Sequence, residues 1–339
     1  MKSYIKAAVW LLALILCLFG MDQALRRGDG KLKYQAFFEE KMDYDIFFLG
    51  TSHMMDAVYP IELWRDYGIT SYNLGNTAEP MDNTYWTLRL ASAYHVPKVV
   101  VIDVAYMDRI QTTQMHTYQF AHGFLDEIPL SLDKIRAVWS VFPDGKRAEF
   151  IFPLALYHTR WEELFDGPQQ ANTNAVPWMF GAELRIGRSE PAPFVRTKEW
   201  AQQTLNGEGA LREIIALCRD KGMEPVLTGI PYPADEAQQQ VINRAQVLAD
   251  ELNVPYVNLF DVEGLVDFQT DCYDAASHLN PDGATKVTAY LGEWLTVHFD
   301  LADKRGDVRY AHWDAALDEY EKMRKVQWGE MSLIDGLLD

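Results

Sequence analysis

The run Lys98-Val99-Val100-Val101-Ile102-Asp103 constrains the fold more than any other stretch of the chain. A strand with one wet face alternates apolar and polar residues. Four consecutive β-branched residues instead require cover on both faces, which is the habit of parallel sheets buried between helices. Short apolar runs of the same kind recur at 46–49, 70–74, 224–230 and 256–259, with this one spanning 98–104. Helical patterns sit between or after them at 60–67, 81–94, 197–221, 235–252 and 281–299. Strand–helix alternation predicts an α/β domain of three layers, a parallel sheet with helices on both sides.

At 339 residues the chain has room for one large domain or two. The alternation lapses between 107 and 193, a region rich in Trp, Phe, His and Pro. A long excursion in a compact domain is usually functional or disordered, and here it predicts a helical cap over the carboxyl edge of the sheet. The last segment, 301–339, holds an acidic helical pattern over 313–326 expected to pack on the surface of the domain at 44–300. Residues 24–43 are largely polar and charged and are read as a stalk.

The N-terminus, 1–23, reads as a transmembrane signal anchor. Residues 7–21 carry no charge, with Lys2 and Lys6 before them and Arg26, Arg27, Lys31 and Lys33 after. Tyr4 and Ile5 extend the run toward the 17–25 residues that a span usually needs. Asp22 and Gln23 before Ala24 make a poor cleavage site, and Leu16 before Cys17 does not suit a lipoprotein signal. The downstream basic residues outnumber the upstream ones, so the charge rule argues against the extracellular placement otherwise expected for the domain. The net charge of −18 opposes attraction to nucleic acid or to anionic lipid, and reads first as solubility. Cys218 and Cys272 form either a disulfide or two buried thiols. No cofactor is implied, and no metal-binding signature of the HExxH, CxxC or calcium-loop kind is present.

Two segments carry the chemistry. Gly50-Thr51-Ser52-His53 follows the first predicted strand, so Ser52 stands at the carboxyl edge where open α/β sheets bind ligands. It is either a helix cap or a nucleophile. Asp274-Ala275-Ala276-Ser277-His278-Leu279-Asn280 places a histidine in the loop before a predicted helix, with an acid four residues earlier. A serine nucleophile needs such a base, and the base needs an orienting acid.

These two blocks resemble those of the SGNH (GDSL-like) hydrolase superfamily, over roughly residues 44–299. Among its members, the membrane-anchored bacterial branch is similar, including the D-alanyl transfer protein of teichoic acid systems and polysaccharide O-acetylation proteins. The resemblance implies a flavodoxin-like sheet, Ser52 as nucleophile, His278 as base and Asp274 as acid. It also implies an oxyanion hole from the Ser52 and Gly75 amides, with Asn76 as a further donor. Two departures stand out. The family's acid usually lies three residues before its histidine, where this chain has Ala275, so Asp271 is the alternative to Asp274. The asparagine expected after the third core strand is absent from Ile102-Asp103-Val104-Ala105-Tyr106. His53 is expected to contact substrate or to position the loop. His158, Arg160 and Trp161 in the insertion are expected to line a sugar site or to pack the cap. The functions expected are acyl transfer onto a cell-envelope glycan or teichoic-acid-like polymer, with a membrane-bound O-acyltransferase as partner, or ester hydrolysis by the same site. A non-catalytic envelope scaffold is the rival from another class.

Overall fold

The computed structural model describes residues 2–25, 28–109, 120–162, 176–189, 194–274 and 278–338. Five parallel strands form one sheet: β1 (Ile46–Leu49), β2 (Ser71–Asn73), β3 (Val99–Asp103), β4 (Glu224–Gly229) and β5 (Tyr256–Asn258), in the order β2-β1-β3-β4-β5. All five predicted strands are present, each within two residues of its expected ends. The order is the flavodoxin-like one. It reverses between β1 and β3, so the crevice at their carboxyl ends is the topological switch point.

The pleat sends alternate side chains into two cores. Phe47, Leu49, Val100, Ile102 and Leu227 face one, filled by helices that include α2 (Gly28–Glu39), α5 (Met81–Ala91), α10 (Glu208–Asp220) and α11 (Glu236–Leu252). Ile46, Phe48, Val99, Val101 and Val226 face the other, covered by α3 (Ser52–Ala57) and α12 (Pro281–His298), with Leu63 of α4 (Pro60–Tyr67). The Val-Val-Val-Ile run of β3 is buried on both sides, as its lack of alternation requires.

Local sequence sets the helix ends. α4 opens on Pro60 and closes at Gly68 in the left-handed region, φ 68°. α11 starts in a reciprocal capping box between Asp235 and Gln238. The helix expected over 197–221 begins only at Glu208. Upstream of it the chain is tied by side chains instead, as where Gln239 accepts from the Thr197 amide at 3.0 Å.

The periphery brings one correction. Residues 24–43 are not a free stalk: α2 buries Lys33, Tyr34 and Phe37, with the two rings in the main core. The polar composition concealed this because one face of a short helix suffices to dock it. The insertion is helical as expected, with α6 (His122–Leu125), α7 (Leu132–Val141), α8 (Asp144–Ile151) and α9 (Leu154–Tyr157). It packs against α2, α5 and the N-terminal helix α1 (Lys2–Leu25). The C-terminal helix α13 (Ala311–Leu338) does dock on the domain, burying Trp313 and Tyr320 against α4 and residues 177–179. Cys218 and Cys272 are separate buried thiols, and burial pushes both up to about 12.

Candidate active site

β1 is followed by Gly50, whose φ of +144° favours glycine; a Cβ there would lie 2.6 Å from Asp103 Cβ at the end of β3. This close approach turns the chain at once into α3. Thr51 takes the N-cap position, its Oγ1 accepting from the His53 amide at 3.2 Å. The capping duty thus falls to Thr51, which leaves Ser52 Oγ for another partner. That partner is His278 Nε2, at 2.8 Å.

The segment carrying His278 is a pinned hairpin. Cys272 and Leu279 form an antiparallel bridge, the Tyr273 amide donates to His278 O at 2.9 Å and the Asn280 amide to Asp271 O at 2.9 Å. Asn280 also caps α12 through the Asp282 and Gly283 amides, while its own amide group donates to Thr270 O and Gly187 O. Across the hairpin Asp274 grips His278 at two points. Its Oδ2 meets the ring Nδ1 at 2.5 Å, and its Oδ1 accepts from the His278 backbone amide at 3.1 Å. The four-residue spacing is thus the spacing of a hairpin that sets the two residues opposite each other. Asp271 faces away, accepting from Lys286 Nζ at 2.7 Å, the Asp267 amide at 2.8 Å and Thr270 Oγ1 at 3.0 Å. Ser52, His278 and Asp274 form one hydrogen-bonded chain, and Asp271 belongs to the loop's scaffold.

The expected oxyanion donors are arranged differently. Gly75 is essential to the packing, since a Cβ there would stand 2.9 Å from the Met55 amide nitrogen and 3.0 Å from Thr51 O. Its own N–H, however, donates to Asn73 Oδ1 at 3.0 Å. The Asn76 amide donates to Gly50 O, and its side chain to Phe120 O, each at 3.0 Å. In this conformation these donors are spent on β2 itself, on Gly50 at the exit of β1 and on Phe120 of the insertion. The Ser52 amide, first in α3, has no intrahelical acceptor and points from a helix N-terminus.

His53 is buried beside the site, stacked on Tyr232 at 3.9 Å between centroids, with Nδ1 3.1 Å from Thr51 Oγ1. Burial, then the neighbouring His278 and Arg109, lowers its pKa to about 3, so it is neutral. The insertion residues lie elsewhere. Arg160 Nη1 donates to Leu25 O at 2.6 Å, His158 Nδ1 pairs with Ala155 O, and Trp161 is exposed. Among the described residues none of the three contacts Ser52, His278 or Asp274; Arg160 is spent on the N-terminal helix.

A buried charged cluster under the site was not anticipated. Asp56, one helical turn after Ser52, is fully buried with Oδ2 3.8 Å from His278 Nε2. Arg185 Nε pairs with Asp56 at 3.3 Å and its Nη2 with Glu183 at 3.1 Å. Glu183 lies 3.6 Å from Lys33 Nζ, which also donates to Gly75 O at 2.9 Å and Met55 Sδ at 2.8 Å. Burial pushes Asp56 up to about 7 against the pull of Arg185 and His278, and lowers Lys33 against the pull of Glu183 and Asp56. The i,i+4 spacing of Ser52 and Asp56 was a usable signal for the first of these. Nothing local in the sequence ties Lys33 or residues 183–185 to the site.

No family model matches the sequence, and no curated protein matches it significantly. Among solved structures, a GDSL-like lipase from Bacteroides thetaiotaomicron VPI-5482 overlaps with a TM-score of 0.36 at 10% identity, covering 75% of this chain and 88% of that one. A candidate acylhydrolase from Bacteroides fragilis NCTC 9343 overlaps with a TM-score of 0.38 at 10% identity, covering 79% of this chain and 95% of its own. Likeness at this level leaves the chemistry to be argued from the site itself.

Proposed function

We propose that the protein is a serine enzyme that forms an acyl-enzyme on Ser52 and passes the acyl group to a cell-envelope glycan or polymer hydroxyl. One observation carries the reading: the Ser52–His278–Asp274 chain, with contacts of 2.8 and 2.5 Å, at the switch point of a parallel sheet. His278 Nε2 takes the proton as Ser52 Oγ attacks an ester carbonyl, and Asp274 holds Nδ1–H and the rising positive charge. The Ser52 amide donates to the oxyanion; a preorganised donor of this kind is worth about 3 kcal/mol of barrier. Collapse expels the alcohol with the proton from His278. The acceptor hydroxyl then repeats the cycle in reverse, regenerating Ser52.

Transfer in preference to hydrolysis draws support from α1, whose stretch Ser3–Asp22 is long and apolar enough to cross a membrane. An anchored enzyme on the outer face meets both envelope polymers and acyl groups handed across the bilayer, with a membrane-bound O-acyltransferase as the donor partner. Water as acceptor gives an esterase by the same steps. The scaffold reading draws on one feature, the occupied donors of Gly75 and Asn76. All three are separated by exposing the full-length protein to an activated acyl ester, with and without envelope glycan, and following Ser52 by peptide mass. Acylation that discharges onto glycan is the expected result. Discharge only to water makes it an esterase, and no acylation of a folded protein leaves the scaffold.

A further inference from the structure

We propose that the insertion carries a second membrane contact, a patch centred on Phe152 and Trp161 that seats in the headgroup region of the bilayer beside α1. The inference rests on the reading of α1 as a membrane span and goes beyond it. The end of α1 fixes the height of the patch. Leu25 is buried against Leu154 and Tyr157 of α9, with Leu18 packed on the same cluster, and Arg160 donates to Leu25 O. Leu25 lies three residues beyond the apolar stretch Ser3–Asp22, a rise of about 4.5 Å along a helix. The residues that touch it therefore stand where the span leaves the hydrocarbon.

Phe152 and Trp161 bracket this contact in sequence and are 44% and 56% exposed. Large apolar and indole side chains exposed at that height meet the headgroup boundary, where aromatic rings are favoured. α7 adds Leu132 and Trp139, seven residues apart and hence on one face, 72% and 52% exposed, with Trp139 packed on Arg147 of α8. Charge permits the approach: residues 121–162 hold five Lys/Arg and six Asp/Glu, a net of −1 in a chain of −18. Continuity with α1 itself selects a bilayer as the occupant, since the patch begins at residues in contact with the span.

The test uses the full chain with Cys17→Ser in phosphatidylcholine/phosphatidylglycerol vesicles; Cys218 and Cys272 are buried and slow to label. A nitrobenzoxadiazole label is placed at Trp161→Cys or Phe152→Cys, with the exposed Val308→Cys as reference. An interfacial site lies about 5–10 Å into the headgroup/acyl boundary, so lipid brominated high on its acyl chains should lower the 152 and 161 signals roughly twofold while iodide does little. The reference label should respond the opposite way. If the protein floats with the vesicles but the 161 label behaves like the reference, the patch faces water and this inference fails while the anchor stands. If iodide quenches the label until another membrane protein is added and neither quencher reaches it afterwards, the patch is a protein interface and the bilayer contact is refuted. A chain that does not float refutes the anchor and this contact together.

Discussion

Asp274→Asn tests the site through the two-point grip on His278. The His278 backbone N–H can only donate, so the Asn carbonyl must replace Oδ1, where the 3.1 Å bond is made. The Asn NH2 group then faces Nδ1, which is 2.5 Å from the carboxylate in the native protein. Nδ1 must accept, and the ring proton moves to Nε2, the atom facing Ser52 Oγ. An imidazole with its proton there cannot take the serine proton. The loss should approach 10³–10⁴-fold in kcat/KM, about 4–5.5 kcal/mol, the scale seen when an orienting acid imposes the wrong tautomer. Asp274→Ala leaves Nδ1 free to keep its proton and should retain more activity than Asp274→Asn. The assay is p-nitrophenyl acetate turnover with thermal melting as the control for folding, and Ser52→Ala sets the background. Asp274→Asn matching or exceeding Asp274→Ala would refute the tautomer argument. A comparable loss in Asp271→Asn, with folding intact, would move the acid to that residue.

Three other outcomes are expected. Gly50→Ala should both destabilise and inactivate the protein, because its Cβ would meet Asp103 Cβ at 2.6 Å in a glycine conformation; a normal melting temperature and rate would contradict the close-approach argument. Deleting residues 1–40 to obtain a soluble domain should yield an unstable protein, and Lys33→Met should cost about 3 kcal/mol by denaturant titration, since each breaks the buried Lys33–Glu183 pairing. Burial holds the Glu79 carboxyl up at about 7 from an ordinary 4.5, so the folded state keeps a proton that the unfolded chain releases between these values. Stability should therefore fall as pH rises across that window, as it should for the buried Asp56 as well, and Glu79→Gln, which retains an acceptor for Thr87 Oγ1, should remove Glu79's share of the fall, up to about 3 kcal/mol at pH 8.

The sheet was legible because strands buried on both faces leave a signal that few other structures share. The Val99–Ile102 stretch and its four counterparts could be placed without any long-range information. The site was legible where a local pattern coincided with a strand exit or a helix start, as at Ser52 and His278. Asp274 could be set against Asp271 only once the hairpin bridge Cys272–Leu279 was in hand, because a one-residue change in loop length hides which acid faces the ring. Gly75 was read as a donor, yet its amide serves Asn73; a backbone N–H has no sequence signature of its partner. The stalk reading of Lys33 failed, and the packing partner of Arg160 stayed hidden, for the same reason. Glu183 lies 150 residues from Lys33 and Leu25 lies 135 from Arg160, and nothing local in the sequence names such a partner.

In the proposed mechanism the acid and the base share one short hairpin, whereas the nucleophile lies 226 residues nearer the N-terminus. During synthesis Ser52 emerges first and His278 comes only after four of the five strands and β5 beyond them have been made. A nascent or partly threaded chain thus carries an unactivated hydroxyl, inert toward any ester it passes. Reactivity switches on late, when the segment before α12 closes over α3. Under that mechanism the order of residues along the chain acts as a safety catch that keeps the serine quiet until the domain is complete.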